Sequence, residues 1–322
     1  MTAHVLLNPA ARGGRNRALR EPLARALAAA GVEAEIIETT GPGDAERRAA
    51  EIGADGGLVV SAGGDGTLHE VVNGLAGTAA TLGVLPLGTG NDFAHALGMP
   101  NRLADAARAL VDAPVTQIDL GTVRWTEADG SERTRHFANC LGMGFDAHAA
   151  GLAAHTKWMG GRAAYLGAVL RTLWAWRRPD LAVRVDASDL AFEGPLFLCE
   201  VGNGHSIGGG FLTTPDARPD DGLLDVCLVR HIDPRRALRL LPQTFSGRHV
   251  SAPEVTMAQT TRLSLTVTAS RRRGLGLQAD GESLTGRAVR VEVGVEPGAL
   301  AARAPRVGRR ETGGKGALRI VL

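Results

Sequence analysis

Short apolar runs alternating with helical periodicity fill the first hundred residues of this chain. Val5-Leu6-Leu7 predicts a strand with a helix near Asn16 to Ala30 behind it, and Val32 to Glu38 predicts a strand with a helix near Asp44 to Ile52. Leu58 to Ser61 leads to a helix from Thr67 to Leu75, and Leu82 to Leu85 to one near Asp92 to Leu97. Strands that read as continuous apolar runs, each followed by a helix, belong to a parallel sheet covered on both faces. A Rossmann-like α/β domain is therefore expected. In such sheets ligands bind beyond the C-terminal strand ends. Asn8-Pro9, Thr39-Thr40, Gly63 to Thr67 and Gly88 to Asp92 all fall there.

After residue 115 the pattern changes to strand-like runs between turns: Val115 to Val123, His136 to Cys140, Leu181 to Asp186, Pro195 to Val201, Leu223 to Val229, Arg262 to Thr268, Leu275 to Ala279 and Val289 to Val295. Helices are expected only at Thr156 to Arg178 and Pro234 to Phe245. At 322 residues the chain is long for one core, so two domains are expected. The fold class is α/β: an N-terminal parallel domain (1–115), a C-terminal mainly-β sandwich domain (116–298), and an active site in the cleft between them. Gly298 to Lys315 is rich in Gly, Ala and Arg without periodicity, so the tail 299–322 is expected to fray or to return to the first domain.

Composition narrows the function classes. Apolar residues at 44% and charged residues at 22% are ordinary for a globular protein. A net charge of +2 from 36 basic and 34 acidic residues is too small for general nucleic-acid binding. Lysine stands only at Lys157 and Lys315, so no Gly-Lys-Ser/Thr phosphate loop can be written. Cys140, Cys199 and Cys227 are widely spaced and read as reduced structural thiols of a cytosolic protein. The N-terminus enters a strand without a signal-like segment, and no apolar run is long enough to span a membrane.

Gly63-Gly64-Asp65-Gly66-Thr67 carries the strongest chemical signal. Glycines after a strand let bare N–H groups approach a polyphosphate, and the following helix adds its positive end. A carboxylate there is electrostatically wrong unless it serves a cation or a proton, which marks Asp65. Thr67 is expected to cap the helix. In Leu87-Gly88-Thr89-Gly90-Asn91-Asp92, Thr89 can donate to phosphate, while Asn91 and Asp92 either cap the next helix or orient a nucleotide. Asn8 with the Gly13-Gly14 amides can reach the same ligand, unless that loop only connects.

Asp280-Gly281-Glu282 has two readings: carboxylates serving a hydroxyl that attacks a γ-phosphate, or a plain Asp-Gly hairpin. Asp220, Asp221 and Asp225 gather oxygen donors of the type hard cations take, or form a metal-free acidic turn. Trp158, Tyr165, Val169, Leu173 and Trp176 fit a buried helical stripe, yet aromatics flanked by Lys157, Arg177 and Arg178 also suit a membrane interface. Arg235, Arg236, Arg239 and Arg271 to Arg273 extend that basic face or are simply solvated.

The two glycine turns and the Asn8-Pro9 loop resemble those of the diacylglycerol kinase catalytic domain family, which includes bacterial soluble lipid kinases and sphingosine and ceramide kinases. Ile118-Asp119-Leu120-Gly121, Phe137 to Ala147, Gly208-Gly209-Gly210, Pro219 to Asp225 and Asp280-Gly281-Glu282 stand in that family's order, so the likeness runs from residue 3 to 296. It implies an ATP-dependent kinase that uses Mg²⁺ and phosphorylates the free hydroxyl of a lipid, diacylglycerol or a relative. Nucleotide contacts are then expected from Asn8, Pro9, Arg12, Gly13, Gly14, Thr39, Thr40, Gly63, Gly64, Asp65, Gly66, Thr67, Leu68, His69, Gly88, Thr89, Asn91 and Asp92. Catalytic roles fall to Asp65, serving Mg²⁺ or the acceptor proton, and to Asp280 and Glu282, which would supply the general base, Asp280 taking the proton with help from Glu282. A second Mg²⁺ site is implied at Asp221 and the carbonyls of Arg218 and Leu223. Arg12 departs from the family, where Ser or Gly is common. The expected setting is the cytoplasm, with peripheral contact at the inner membrane face, no nucleic acid, and homodimerisation open. Two alternatives stand: an NAD kinase, which shares the Gly-Gly-Asp-Gly-Thr turn but for which no Thr-Pro-Thr-Gly-Ser-type loop is present, and a non-catalytic nucleotide or lipid regulator, which has no need of three carboxylates.

Overall fold

Four parallel strands build the first sheet: β1 (Ala3–Leu7), β2 (Ala34–Glu38), β3 (Leu58–Gly63) and β4 (Thr81–Pro86), in the order β2-β1-β3-β4. The computed structural model describes residues 2–154, 161–175, 181–270, 274–284 and 286–307. Helices α1 (Arg20–Ala29), α2 (Asp44–Gly53) and α3 (Asp65–Leu75) cross between the strands. Every residue of β3 is buried, as a strand covered on both faces requires. The strand order reverses between β1 and β3, and the loops leaving them flank the crevice that such a reversal opens.

Beyond β4 lie α4 (Asp92–Ala96) and α5 (Leu103–Asp112). The second helix is absent from the sequence expectation. Its buried positions Ala106, Ala107 and Leu110 have helical spacing, but two are alanines, which give little apolar contrast.

The second domain has two layers. It contains β5 (Val115–Glu127), β6 (Glu132–Phe137), β7 (Cys140–Gly144), α6 (Phe145–Ala154), α7 (Gly161–Ala175), β8 (Ala182–Ala187), β9 (Leu190–Gly202), β10 (Leu224–Arg230), α8 (Pro234–Thr244), β11 (Val255–Thr260), β12 (Arg262–Ala269), β13 (Leu277–Ala279), β14 (Glu282–Ser283) and β15 (Ala288–Arg303). One layer runs β6-β5-β15-β12-β8-β9 and the other β14-β13-β7-β9-β10-β11, with long β9 in both. Val123, Phe137, Leu141, Val183, Val201, Leu224, Leu265 and Val291 fill the space between. The α/β class with a sandwich-like second domain is the class expected.

Several boundaries differ from expectation. The run His136 to Cys140 is not one strand: β6 stops at Phe137, because the Ala138, Asn139 and Cys140 amides turn together onto Asp280. In place of one helix at Thr156 to Arg178 there are α6 and α7, and Trp158 and Trp176 lie outside the described residues. β11 was not anticipated, since its residues are mostly half-exposed. Gly298 to Arg303 does not fray. It continues β15 into the first domain, where Ala301 and Ala302 pair parallel with Thr81 and Leu82. Residues 308–322 lie outside the description. Among the described residues no helix is long and apolar enough to cross a membrane.

Gly121 of β5 faces fully buried Phe137 of β6 so closely that a Cβ at Gly121 would overlap the ring. Replacing Gly121 with Ala is expected to lower the unfolding free energy by roughly 1–3 kcal/mol through overpacking, measured as a lower urea midpoint; an unchanged midpoint would contradict the packing described.

Candidate active site

The two glycine turns meet backbone to backbone. Leu87 N–H donates to Gly63 O at 2.8 Å, and a Cβ on Gly88 would overlap the Gly64 Cα. That contact lets the start of α3 lie beside the turn after β4. Gly64, at the N-cap position of α3, supplies no side-chain cap, and the start of α3 is a positive helix end beside the two turns. Thr67 is not the cap expected. It sits one turn into the helix, buried, and its Oγ1 accepts from Asn8 Nδ2 at 2.9 Å, which ties the first loop to α3 across the crevice floor.

Asp65 binds the turns together. Its Oδ2 accepts from Asn91 N at 2.8 Å and its Oδ1 from Asp92 N at 2.9 Å. Burial first, then the neighbouring Asp92 and, more weakly, Asp280, push its carboxyl up to about 7. Asn91 and Asp92 do not point at the crevice as nucleotide ligands. Asn91 has φ 57°, and its Oδ1 accepts from Gly88 N at 2.9 Å, closing its own turn. Asp92 is buried and reaches into the second domain, accepting from Ser206 Oγ at 3.0 Å and Gly209 N at 2.7 Å. Thr89 is exposed at the tip of its turn.

The first loop is also backbone-built. Asn8 Oδ1 accepts from Ala10 N, and Arg12, Gly13 and Gly14 have φ of 54°, 68° and 86°. Left-handed backbone suits glycine, so Arg12 is the strained member of the three. Buried Asn16 ties the loop to the second turn by donating to Leu87 O at 3.1 Å. Thr39 is buried, and Thr40 N donates to Asp44 Oδ2 at 2.9 Å. That bond, followed by Arg48 and Arg47, holds the Asp44 carboxyl well below the usual range. Leu68 is in the core, which leaves only its backbone for a ligand.

Asp280 and Gly281 are a hairpin turn between β13 and β14, both with positive φ of 52° and 84°. The site reading and the turn reading hold together. Asp280 is buried; its Oδ1 accepts from Asn139 N and Cys140 N, and its Oδ2 from Ala138 N and His69 Nδ1, at 2.8–3.0 Å. Its acceptor positions are filled, which does not suit the expected part in taking up a proton: the Asp280 side chain anchors the hairpin. His69, expected at the nucleotide, is turned inward. Its other ring nitrogen accepts from Arg135 Nε at 3.3 Å, and Arg135 forms a two-pronged pair with Glu46 of α2. A line of hydrogen-bonded polar side chains thus runs from α2 through β6 and α3 to the hairpin. Sequence reasoning missed Arg135 and Glu46, whose pairing no local spacing reveals.

Glu282 completes the convergence. A Cβ on Gly66 would overlap Glu282 Oε1, so this carboxylate of the second domain lies against the first turn of α3. Residues 2–123 match the diacylglycerol kinase catalytic domain, and residues 139–303 match the YegS C-terminal NAD kinase beta sandwich-like domain. A diacylglycerol kinase of Mycobacterium tuberculosis (strain ATCC 25618 / H37Rv) is 32% identical over 281 residues, 85% of this chain and 86% of that protein. The chain belongs to the diacylglycerol kinase catalytic domain family. A Pseudomonas aeruginosa (strain UCBPP-PA14) protein named "Probable lipid kinase YegS-like" is 36% identical over 281 residues, 86% of each chain. In fold, a diacylglycerol kinase from Bacillus anthracis str. Sterne aligns with a TM-score of 0.67 at 21% identity, over 94% of this chain and 96% of that one. These names set the chain among lipid kinases and away from the NAD kinase alternative.

The second metal position expected in this kinase family is a tight acidic loop. Asp221 is exposed and accepts from Leu223 N at 3.0 Å, and burial of part of its carboxyl raises its pKa. Buried Asp119 accepts from Gly222 N at 2.7 Å and Gly298 N at 2.8 Å, while Arg218 pairs with Asp220. Asp225 faces inward beside Gln259, pushed up to about 6 by burial, and is no part of an exposed cluster. Among the described residues no group of three His, Cys, Asp or Glu side chains is arranged to hold a metal.

Asp65 yields a pH test. Its folded pKa of about 7 lies above the ordinary 3.8, so its contribution to stability is present at low pH and lost as pH rises through 7. Without ligand, the wild type is expected to lose stability relative to Asp65→Asn between about pH 4 and 7, read from urea midpoints at each pH; parallel curves would refute the shift.

Proposed function

We propose that this protein transfers the γ-phosphate of ATP to the free hydroxyl of a lipid, diacylglycerol or a close relative. One observation carries the reading: Glu282 of the second domain lies against Gly66, at the positive helix end of the first domain. A triphosphate fits this end. Uncapped first-turn amides, small residues that admit close approach, and the exposed Thr89 hydroxyl all favour an anion there. The Gly13 and Gly14 positions have open space beside them, so phosphate or ribose can come close to that backbone as well.

When bound, Mg²⁺ would neutralise charge between the β- and γ-phosphates. Asp65, with one amide on each oxygen, retains acceptor capacity toward such a cation, whose charge would also draw its carboxyl back to the ionised form. Arg218 and Leu223 carbonyls with Asp221 are oxygen donors suited to a second Mg²⁺. Glu282 is the residue placed to receive the proton of the attacking hydroxyl. Asp280 fixes the hairpin that presents it.

A lipid acceptor requires contact with a membrane, and α7 suits it. Val169 and Leu173 are buried, while on the other side Trp174 is 87% and Leu170 40% exposed. An aromatic and an aliphatic side chain projecting from one helix fit the interfacial zone of a bilayer. A cytoplasmic protein that visits the inner membrane face accords with this surface and with its free, buried cysteines.

Incubation of the protein with labelled ATP, Mg²⁺ and either total lipid or NAD, followed by thin-layer separation, is expected to give one labelled phospholipid; labelled NADP without labelled lipid would overturn the proposal. Glu282→Gln is expected to lower turnover by about 100-fold with ATP binding kept, the size of effect typical for loss of a positioned proton acceptor. Undiminished turnover in that variant would remove Glu282 from the chemistry.

A further inference from the structure

Behind the Asp280-Gly281 hairpin lies a group of buried polar side chains to which the transfer step gives no task. Gln278, Gly142 and Glu200 are direct cross-strand neighbours on β13, β7 and β9. The middle position has no side chain, and Asp146, from the first turn of α6, occupies the notch. A Cβ on Gly142 would overlap Asp146 Oδ2 and stand 2.5 Å from Gln278 Nε2. Gln278 Nε2 donates to Asp146 Oδ2 at 2.6 Å, while Gln278 Oε1 accepts from Gly281 N at 2.7 Å. Gln278, Asp146 and Glu200 are 2%, 5% and 0% exposed.

The two ends of the Gln278 amide are thereby set. Asp146 accepts and so takes the NH₂ end; Gly281 donates and so takes the oxygen. Turned over, the amide would leave an N–H facing the part-buried Gly281 N–H and an oxygen facing the buried Asp146 carboxylate. Gly281 lies between Asp280, whose carboxylate is anchored, and Glu282, whose carboxylate is the one set against α3. Glu200 makes no hydrogen bond of ordinary geometry; Asp146 and Cys140 are its polar neighbours. Burial first, then Asp146, push its carboxyl well above the usual range.

We infer that Asp146 and Gln278 are positioning residues for phosphate transfer: Asp146 fixes the Gln278 amide, and Gln278 holds the Gly281 N–H so that Glu282 stays over the start of α3. The kinetic part of this inference rests on the lipid kinase reading; the conformational part does not. Gly142 belongs to the same device, supplying the space in which Asp146 and Gln278 meet.

The test compares Gln278→Met, Gly142→Ala and Asp146→Asn with wild type by kcat, KM for ATP, melting temperature and amide hydrogen exchange at Gly281. Gln278→Met and Gly142→Ala are expected to lower kcat by about tenfold or more with KM for ATP within about twofold, as misplacement of a reacting group does. Gly281 exchange is expected to accelerate in both. Asp146→Asn keeps an acceptor for Gln278 and should retain most of the turnover. Gln278→Glu adds a distinguishing signature. It keeps the acceptor for Gly281 but sets a carboxyl against Asp146, with Glu200, Cys140 and Asp280 the other titratable groups around it; a proton must be shared, so turnover should fall as pH rises and recover on acidification.

Unchanged Gly281 exchange and kcat in Gln278→Met would overturn the inference, as would kcat, KM and melting temperature moving together in Asp146→Asn. Should Gln278→Met fail to fold, the pH limb of Gln278→Glu decides, its absence counting against the inference. Should the wild type phosphorylate no lipid, the kinase reading fails by itself, and Gly281 exchange still decides the positioning role.

Discussion

The carboxylate of Asp65, held between the Asn91 and Asp92 amides, is the constraint on which the rest of the site depends. It works only because Gly64 and Gly88 allow two backbones to touch. With the turns locked together, the start of α3 has one direction relative to the sheet, and its positive end lies beside the two turns without a side-chain cap. The cost is visible in Asp65 itself. A carboxylate taken from water and set near Asp92 and Asp280 resists ionisation, a condition that a bound cation relieves.

The second domain answers with a differently treated acid. Asp280 is as buried as Asp92, yet it is surrounded by donors: the amides of residues 138 to 140 and the imidazole of His69. Breaking β6 from β7 frees those amides. Removing one partner from such a buried ionic arrangement is far more damaging than the arrangement is stabilising. The line from Glu46 through Arg135 and His69 to Asp280 is therefore best understood as fixing geometry between the halves. Asp92, bonded to Ser206 and Gly209, fixes the same relation from the other side.

What the sequence disclosed follows from range. The strands, the crossover helices and the glycine turns are written in local pattern, and Leu58 to Ser61 or Asp44 to Ile52 fall where periodicity puts them. The two helical alanines that face the core in α5 and the half-exposed β11 carry too little contrast to be seen. That Asp65, Asp280 and Glu282 matter together was suggested by a charge set beside glycine, between two at Asp65 and on either side of Gly281 in the hairpin, and the fold does bring the three segments to one place. Their division of labour was not legible. That Asp280 is saturated with donors while Glu282 faces α3 depends on bonds across more than 130 residues of chain, as does the inward turn of His69. Thr67 braces the Asn8 loop where a cap was expected, and Asn91 stands at the N-cap position of α4 with its side chain closing its own turn; such side chains have the same identity as ones that meet a ligand.

β15 runs unbroken through both halves, pairing with β12 and β5 in the sandwich and then with β4 in the parallel sheet. Of its two irregularities, one between Ala288 and Arg290 and one between Glu296 and Leu300, the second is pinned by Asp119 through the Gly298 amide. The lobes thus share a two-stranded spine of β15 and β5 in place of a loose linker. Relative movement of the lobes is limited to the bending and twisting such a spine allows, because a clamshell swing would have to tear a ladder of main-chain bonds.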